Sequence, residues 1–245
     1  MNNVDVFDQT SYRIRFEWGV EGVRRLAPRS QVVVIVDLLS FTTCVDVAIS
    51  RDAVVFPYRY KDDSAIEFAQ SVGALLAGKR GQVPSLSPDS LLALAPHSRL
   101  VLPSLNGSTC TVIAGEAQIP VLAGCLRNAR ALSEFIHREY PRAAVAVIAC
   151  GEQWPRGMLR PAIEDFIGAG AILSEFDPAE LSPEAKMAAG AYEQVARDVS
   201  TTVAECASGR ELAAAGFPED VAMASELNIS RTVPLFEDGA YHQVR

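Results

Sequence analysis

The residues whose types could do chemistry stand where apolar runs of the sequence stop. Acids, hydroxyls and amides at these points are Asp37, Thr42, Thr43, Asn106, Gly107, Ser108, Glu164 and Asp165. A carboxylate can hold Mg²⁺, whereas hydroxyls and the N–H groups at the start of a helix can receive phosphate oxygens. The alternative is structural, with Asp37 beginning a turn, a threonine capping a helix and Asn-Gly making a tight turn.

The acidic pair Glu164 and Asp165 falls within a predicted helix. Adjacent residues of a helix point about 100° apart, so at most one of the two carboxylates faces a site squarely. The spacing by itself favours a solvated acidic face.

Cys150 and Arg156 have the C-x5-R spacing with which cysteine-dependent phosphatases surround a phosphate. A thiolate nucleophile at Cys150 is therefore an alternative chemistry. Against it, the intervening loop places Glu152 inside the anion cradle and contains Pro155, which has no N–H to donate.

Strand and helix patterns alternate along the chain, which predicts a three-layer α/β/α sandwich with a largely parallel or mixed sheet in one domain spanning 1–245. Short apolar runs predict strands at 31–37, 53–57, 100–102, 120–123 and 144–149. Helices are predicted at 43–50, 62–76, 89–95, 108–114, 128–140, 161–169, 183–207 and 219–228. A terminal hairpin, 232–236 with 241–244, is expected at a sheet edge. Ligands of open α/β sheets bind at the carboxyl ends of the strands, where the candidate residues stand.

Composition excludes several functional classes. The net charge of −8 and the absence of a basic run argue against a nucleic-acid partner. The longest apolar run, 143–150, is too short to cross a bilayer, and no secretory signal is recognised, so the cytoplasm is expected. Five cysteines without CxxC spacing argue against a disulfide framework and a thiolate zinc site, and three histidines disfavour a histidine metal centre.

The order of these segments resembles that of the 2-phosphosulfolactate phosphatase family. The family pattern D-V-L-R-A-T-T-T is similar to DLLSFTTC at 37–44, and its G-E-R is similar to GKR at 78–80. Its G-N-S-P, N-G-T and L-N-A are similar to segments 85–88, 106–108 and 127–129. Its C-A-G, with a following S-x-E-D-x-x-x-A-G, is similar to 150–152 and then 164–170.

The resemblance implies a cytoplasmic, Mg²⁺-dependent phosphatase that converts 2-phospho-3-sulfolactate, a small anionic substrate, to 3-sulfolactate and phosphate. It is also compatible with a homo-oligomer. On this hypothesis Asp37 with Glu164 or Asp165 holds Mg²⁺. Arg80, assisted by Lys79, neutralises the transferring phosphoryl group, whose oxygens bind Asn106, Ser108, the backbone of Gly107 and the hydroxyls of Thr42 and Thr43. Asn128 orients the substrate and Arg127 binds its second anionic group.

Three positions depart from the family pattern. Ser40 replaces an arginine, Lys79 a glutamate and Leu86 an asparagine. Serine has neither the charge nor the reach of a guanidinium, and an ammonium cannot ligate Mg²⁺. A divergent, noncatalytic member that binds an anion or a partner is therefore a further hypothesis.

Overall fold

The β-branched run of the sequence forms strand β2, which is buried over its whole length. In the computed structural model, which describes residues 6–244, ten further strands accompany it. The strands are β1 (Ile14–Trp18), β2 (Val32–Val36), β3 (Val54–Tyr58), β4 (Leu75–Leu76), β5 (Arg99–Pro103), β6 (Val121–Gly124), β7 (Val145–Ala149), β8 (Glu152–Gln153), β9 (Leu159–Arg160), β10 (Pro234–Glu237) and β11 (Ala240–Gln243).

Helices connect most of these strands. They are α1 (Gly19–Leu26), α2 (Phe41–Ile49), α3 (Ser64–Ser71), α4 (Pro88–Leu91), α5 (Gly107–Gly115), α6 (Ala129–Glu139), α7 (Ile163–Leu173), α8 (Pro183–Val195), α9 (Val199–Glu205), α10 (Ala207–Ala214) and α11 (Pro218–Ala224). In residues 6–244 no helix combines the length and apolarity needed to cross a bilayer.

The side chains of β2 alternate between two helical layers. Val32, Val34 and Val36 pack in a core with α6, α7 and α8. Val33 and Ile35 pack on the opposite face with α1 and α5. Helices therefore cover both faces of the sheet, and the predicted three-layer α/β/α architecture is confirmed.

The main sheet has nine strands in the order β1-β7-β2-β6-β10-β11-β3-β5-β4. The strands β1, β7, β2 and β6 are mutually parallel, and so are β3, β5 and β4. The antiparallel hairpin β10–β11 joins the two groups and reverses the direction of the second. The sheet is therefore mixed.

Strand twist brings the carboxyl ends of the two groups towards each other. Neighbouring strands rotate by about 20–25°, which accumulates to roughly 100–125° over the five steps from β2 to β5. The end of β5 therefore does not point directly away from that of β2. Contacts between the loops after these two strands, given below, show that they meet.

The sequence prediction of the main elements is largely confirmed. Predicted strands 31–37, 53–57, 100–102, 120–123 and 144–149 correspond to β2, β3, β5, β6 and β7. Predicted helices 43–50, 89–95, 108–114, 128–140, 161–169 and 219–228 correspond to α2, α4, α5, α6, α7 and α11.

Three predicted elements are wrong in extent or position. The helix at 62–76 ends at Ser71, because Gly73 adopts a left-handed φ of 59° and the chain continues as β4. The helix at 183–207 is divided into α8 and α9, which turns the buried Val199 and Val203 into the core. The terminal hairpin lies inside the sheet rather than at its edge, because it pairs with β6 and β3.

The sequence patterns also missed β1, α1, α10 and the small β8–β9 hairpin. β1 carries Arg15 and Glu17 between its apolar residues and is the first strand in the order of the main sheet, beside β7. A short strand of this composition lacks the continuous apolar run that marks a central strand.

Candidate active site

The site lies where the loop after β2 meets the beginning of α5. The carboxylate of Asp37 accepts a hydrogen bond of 2.8 Å from the backbone N–H of Gly107 and one of 3.3 Å from that of Phe41. The hydroxyl of Ser104, directly after β5, donates to the same carboxylate at 3.4 Å. Two loops 70 residues apart thus converge on one buried acid.

Glycine at position 107 permits this approach. A Cβ there would lie 2.2 Å from Cδ1 of Phe41 and 2.7 Å from Oδ2 of Asp37, which is closer than atoms can pack. The first N–H groups of a helix have no partner within the helix. At the start of α5, the N–H of Gly107 donates to Asp37 and, at 3.2 Å, to the hydroxyl of Ser104.

Asp165 joins the ends of β2 and β7. Its Oδ1 accepts 2.7 Å from the N–H of Leu38, and its Oδ2 accepts 2.8 Å from the N–H of Gly151. Because Leu38 directly follows Asp37, the structure brings Asp37 and Asp165 into the same region.

Glu164 lies beside Asp165 in the chain but contacts a different element. It accepts a hydrogen bond of 3.3 Å from the thiol of Cys206 at the start of α10. Glu164 and Asp165 are 4% and 3% exposed, so the solvated acidic face favoured by the spacing is wrong. Packing of α7 between the sheet and α8 buries both residues.

Glu152, on β8, belongs to the site although the sequence reasoning did not select it. It accepts 2.9 Å from the side-chain amide of Asn106, and its charge acts on Asp37. Asn106 in turn accepts 3.3 Å from the side chain of Gln153. The position of Glu152 soon after the 144–149 run was the available signal, since that run ends at the same sheet edge as β2.

Asp37 and Asp165 have raised pKa values. Burial raises the pKa of Asp37 to about 6, with repulsion from Glu152 adding to the rise, while hydrogen bonds from Gly107, Phe41 and Ser104 oppose it. Burial, followed by the charges of Asp37 and Glu164, raises the pKa of Asp165 well above its ordinary value. The region therefore gathers carboxyl groups away from water, where their charged forms are disfavoured.

The hydroxyl groups that the sequence suggested as phosphate ligands donate hydrogen bonds to backbone carbonyls instead. Thr42 donates to the carbonyl of Asp37 at 2.9 Å, and Thr43 to that of Leu38 at 2.8 Å. Ser108 donates to the carbonyl of Leu102 at 2.9 Å. All three are fully buried, so they stabilise the loops that carry the acids.

Arg80 is held next to the loop after β2. Its guanidinium donates 2.8 Å to the hydroxyl of Ser40 and forms an ion pair with Asp220 of α11. Lys79 is exposed and, with Arg80 and Lys61, lines a cavity of about 450 Å³ beside the ends of β4 and β5. Arg80 therefore borders the site through Ser40, and the cavity that it shares with the two lysines is also lined by Asp62 and Asp63.

Arg127 and Asn128 are not brought to Asp37. Arg127 donates 2.9 Å to the buried Asp46 of α2 and is also paired with Glu226. Asn128 is fully buried, and its amide donates to the carbonyls of Ala123 and Thr232. Both side chains tie the segment after β6 to its neighbours.

The cysteine-dependent alternative is not favoured by this geometry. Cys150 is 4% exposed, and burial, together with the neighbouring Cys110, raises the pKa of its thiol well above the ordinary value. Arg156 is exposed in the turn of the β8–β9 hairpin. Because Trp154 donates to the carbonyl of Met158 across that hairpin, the segment does not form a phosphate loop around Cys150.

The acids of this region offer few ligands to a magnesium ion. Within residues 6–244, no three His, Cys, Asp or Glu side chains form a group that could hold a metal. Each oxygen of Asp165 accepts a backbone N–H group, as does each oxygen of Asp37, and Glu164 contacts Cys206. Mg²⁺ commonly uses one or two carboxylates and completes its shell with water and substrate phosphate. Asp37 and Glu152 fit that mode, because a cation would offset the repulsion between them.

Comparisons with known proteins identify the family of this chain. The family model described as 2-phosphosulpholactate phosphatase matches residues 21–239. A 2-phosphosulfolactate phosphatase of Methanothermobacter thermautotrophicus is 28% identical over 214 residues, covering 86% of this chain and 88% of that protein. A probable 2-phosphosulfolactate phosphatase of Pseudothermotoga lettingae is 24% identical over 222 residues, covering 87% and 92%. The chain therefore belongs to the 2-phosphosulpholactate phosphatase family, a family of phosphoric monoester hydrolases.

Proposed function

We propose that this protein hydrolyses 2-phospho-3-sulfolactate to 3-sulfolactate and phosphate in a Mg²⁺-dependent reaction. The observation that carries the proposal is the convergence of Asp37, Glu152 and the start of α5, with Arg80 beside the loop after β2 and Lys79 on the cavity that Arg80 lines. Family membership supplies the substrate class, because the two relatives carry this activity in their names.

Asp37 and Glu152 would hold the ion. The amide of Asn106 orients Glu152, and the N–H groups of Gly107 and Phe41 fix Asp37. When bound, Mg²⁺ supplies positive charge that stabilises the phosphoryl oxygens as transfer to water proceeds. Glu164 and Asp165 act as structural acids in this proposal.

Arg80 neutralises charge on the phosphoryl group. Its ion pair with Asp220 and its hydrogen bond to Ser40 use part of the guanidinium, which has five N–H donors in a planar fork. Asp220 also accepts 2.5 Å from the hydroxyl of Ser87, which fixes the pair. A preorganised cation of this kind stabilises developing charge without having to reorganise.

Lys79 binds the second anionic group of the substrate, the sulfonate or the carboxylate. Arg127 was the sequence candidate for this role, but its pairing with Asp46 and Glu226 leaves Lys79 as the better choice. Lys79 and Lys61 border the same cavity as Arg80, so one small molecule can contact Arg80 and a lysine together.

Phosphate release from 2-phospho-3-sulfolactate by the purified protein tests the proposal. Turnover is expected with Mg²⁺, is lost in EDTA and falls at least 1,000-fold in Asp37→Ala, as expected when charge stabilisation of several kcal/mol is removed. Asp238→Asn, in the exposed turn between β10 and β11, is the matched control. Absence of turnover by the folded wild-type protein would sink the proposal and favour a noncatalytic anion-binding member.

A further inference from the structure

Arg59 contains an unusual polar atom. Among the buried side-chain nitrogen and oxygen atoms of residues 6–244, the Nε of Arg59 is the one without a hydrogen-bond partner. Most buried polar groups in folded proteins are hydrogen-bonded, and leaving one unpaired costs about 1–3 kcal/mol. An unpaired guanidinium nitrogen is therefore a position at which an acceptor from outside the chain would be stabilising.

The register of the sheet places Arg59 beside the candidate active site. β3 and β5 are parallel neighbours with Tyr58 paired to Pro103, so the next position brings Arg59 alongside Ser104. The N–H of Ser104 donates 3.0 Å to the carbonyl of Tyr58, which shows that the two chains stay together there. The Ser104 hydroxyl in turn contacts Asp37.

Within residues 6–244, Arg59 also differs from Arg80 and Arg127, the two arginines selected from the sequence, in having no ion-pair partner. Arg80 is paired with Asp220, and Arg127 with Asp46 and Glu226. For Arg59 the described part of the chain provides only a ring contact, with Cζ 6.0 Å from the centre of the Tyr60 ring. Its positive charge is therefore not neutralised by a neighbouring acid.

The geometry points to Arg59 as a substrate-binding residue whose guanidinium receives oxygens of the phosphoryl group. This inference rests on the proposed phosphatase function. A guanidinium matches a phosphate through parallel N–H···O bonds, which a lysine cannot provide. Phosphate bound beside Ser104 and Asp37 would give the buried Nε the acceptor that it lacks.

Inorganic phosphate, the reaction product, is the probe. In Arg59→Gln the inhibition constant for phosphate and the KM for 2-phospho-3-sulfolactate are each expected to rise at least tenfold, and Arg59→Lys should recover only part of the loss. Arg99→Gln is the matched control, because Arg99 lies at the opposite end of the same strand pair and donates to the carbonyl of Val72. Its constants should stay within twofold of wild type.

Thermal unfolding separates binding from folding. Since Nε has no partner to lose, Arg59→Gln is expected to unfold at or above the wild-type temperature in phosphate-free buffer. It should also lose the rise in unfolding temperature that phosphate gives the wild-type protein. An active wild-type enzyme with an unchanged phosphate constant in Arg59→Gln overturns the inference alone. A wild-type protein that binds phosphate through Arg59 but never turns over substrate overturns only the proposed function.

Discussion

The N–H of Gly107 donates a hydrogen bond of 2.8 Å to Asp37, a residue 70 positions earlier in the chain. This contact joins the first helix turn after β5 to the loop after β2. It brings the ends of two strands that belong to different parallel groups of the sheet into one site.

Gly107→Ala should destabilise the fold. The added Cβ would overlap the ring of Phe41 and the carboxylate of Asp37, which we expect to lower the free energy of unfolding by about 2 kcal/mol. Gly190→Ala, in the exposed middle of α8 with open space around it, is the control and should raise the free energy by about 0.5–1 kcal/mol. Urea unfolding measures the free energy of unfolding of both variants. If Gly107→Ala is as stabilising as Gly190→Ala, the close approach of Gly107 to Phe41 and Asp37 is contradicted.

Asp37 should make stability depend on pH. Its pKa is raised from 3.8 to about 6, so between about pH 4 and 6 the folded state retains a proton that the unfolded state releases. The free energy of unfolding therefore contains a term that is fully present below pH 4 and is lost as pH rises through 6.

Removal of this carboxyl in Asp37→Asn should flatten the decline in stability between pH 4 and 7, when both proteins are unfolded in urea with EDTA present. The quantity compared is the slope of the free energy of unfolding against pH, so a change in the variant's stability at any single pH does not affect the test. Asp238→Asn in the exposed hairpin turn should keep the wild-type slope. Parallel curves for wild type and Asp37→Asn would show that Asp37 titrates alike in both states.

Glu152 and Glu164 should differ in their effect on magnesium. Glu152→Gln removes a proposed ligand charge beside Asp37, so the Mg²⁺ concentration for half-maximal activity should rise about 10–100-fold, as when a metal site loses a supporting group. Glu164→Gln, whose carboxylate contacts Cys206, should change it less than threefold. A larger effect of Glu164→Gln than of Glu152→Gln would instead support Glu164 as a magnesium ligand, as the sequence predicted.

Cys150→Ser should leave phosphate release within about threefold of wild type. The thiol is buried and its pKa is raised, so it is not the thiolate that nucleophilic catalysis requires. Steady-state kinetics of this variant, with and without EDTA, separates the two chemistries. Loss of turnover in a folded Cys150→Ser, together with insensitivity to EDTA, would establish a cysteine-dependent enzyme.

Arg127→Met should lower stability without changing substrate affinity. The substitution leaves the fully buried Asp46 without its Arg127 partner, which we expect to lower the free energy of unfolding by about 3 kcal/mol. KM should stay within twofold of wild type. The control is Arg130→Met, because the side chain of Arg130 is 62% exposed and its ion pair with Glu175 is long, at 3.8 Å. The free energy of unfolding of this variant should differ from wild type by less than about 1 kcal/mol. A tenfold rise in KM with unchanged stability would instead support Arg127 as a substrate-binding residue, as the sequence predicted.

The sequence by itself determined the central strands and most helices. Their signals are local: β2 is a β-branched run, and α8 begins with a capping Ser182 followed by a proline. Asp37 and Gly107 were also recognisable, because Asp37 directly follows β2, Gly107 lies in the segment that follows β5, and ligands collect at strand ends.

Only the tertiary structure decided which of these residues meet. The sequence could not place the terminal hairpin inside the sheet, since pairing with β6 and β3 depends on strands more than 100 residues away. Nor could it show that Arg127 pairs with Asp46, that Glu152 approaches Asp37, or that the Nε of Arg59 is buried without a partner. Local patterns set the type of element, whereas the partners of polar side chains are set by long-range packing, which no window of neighbouring residues contains.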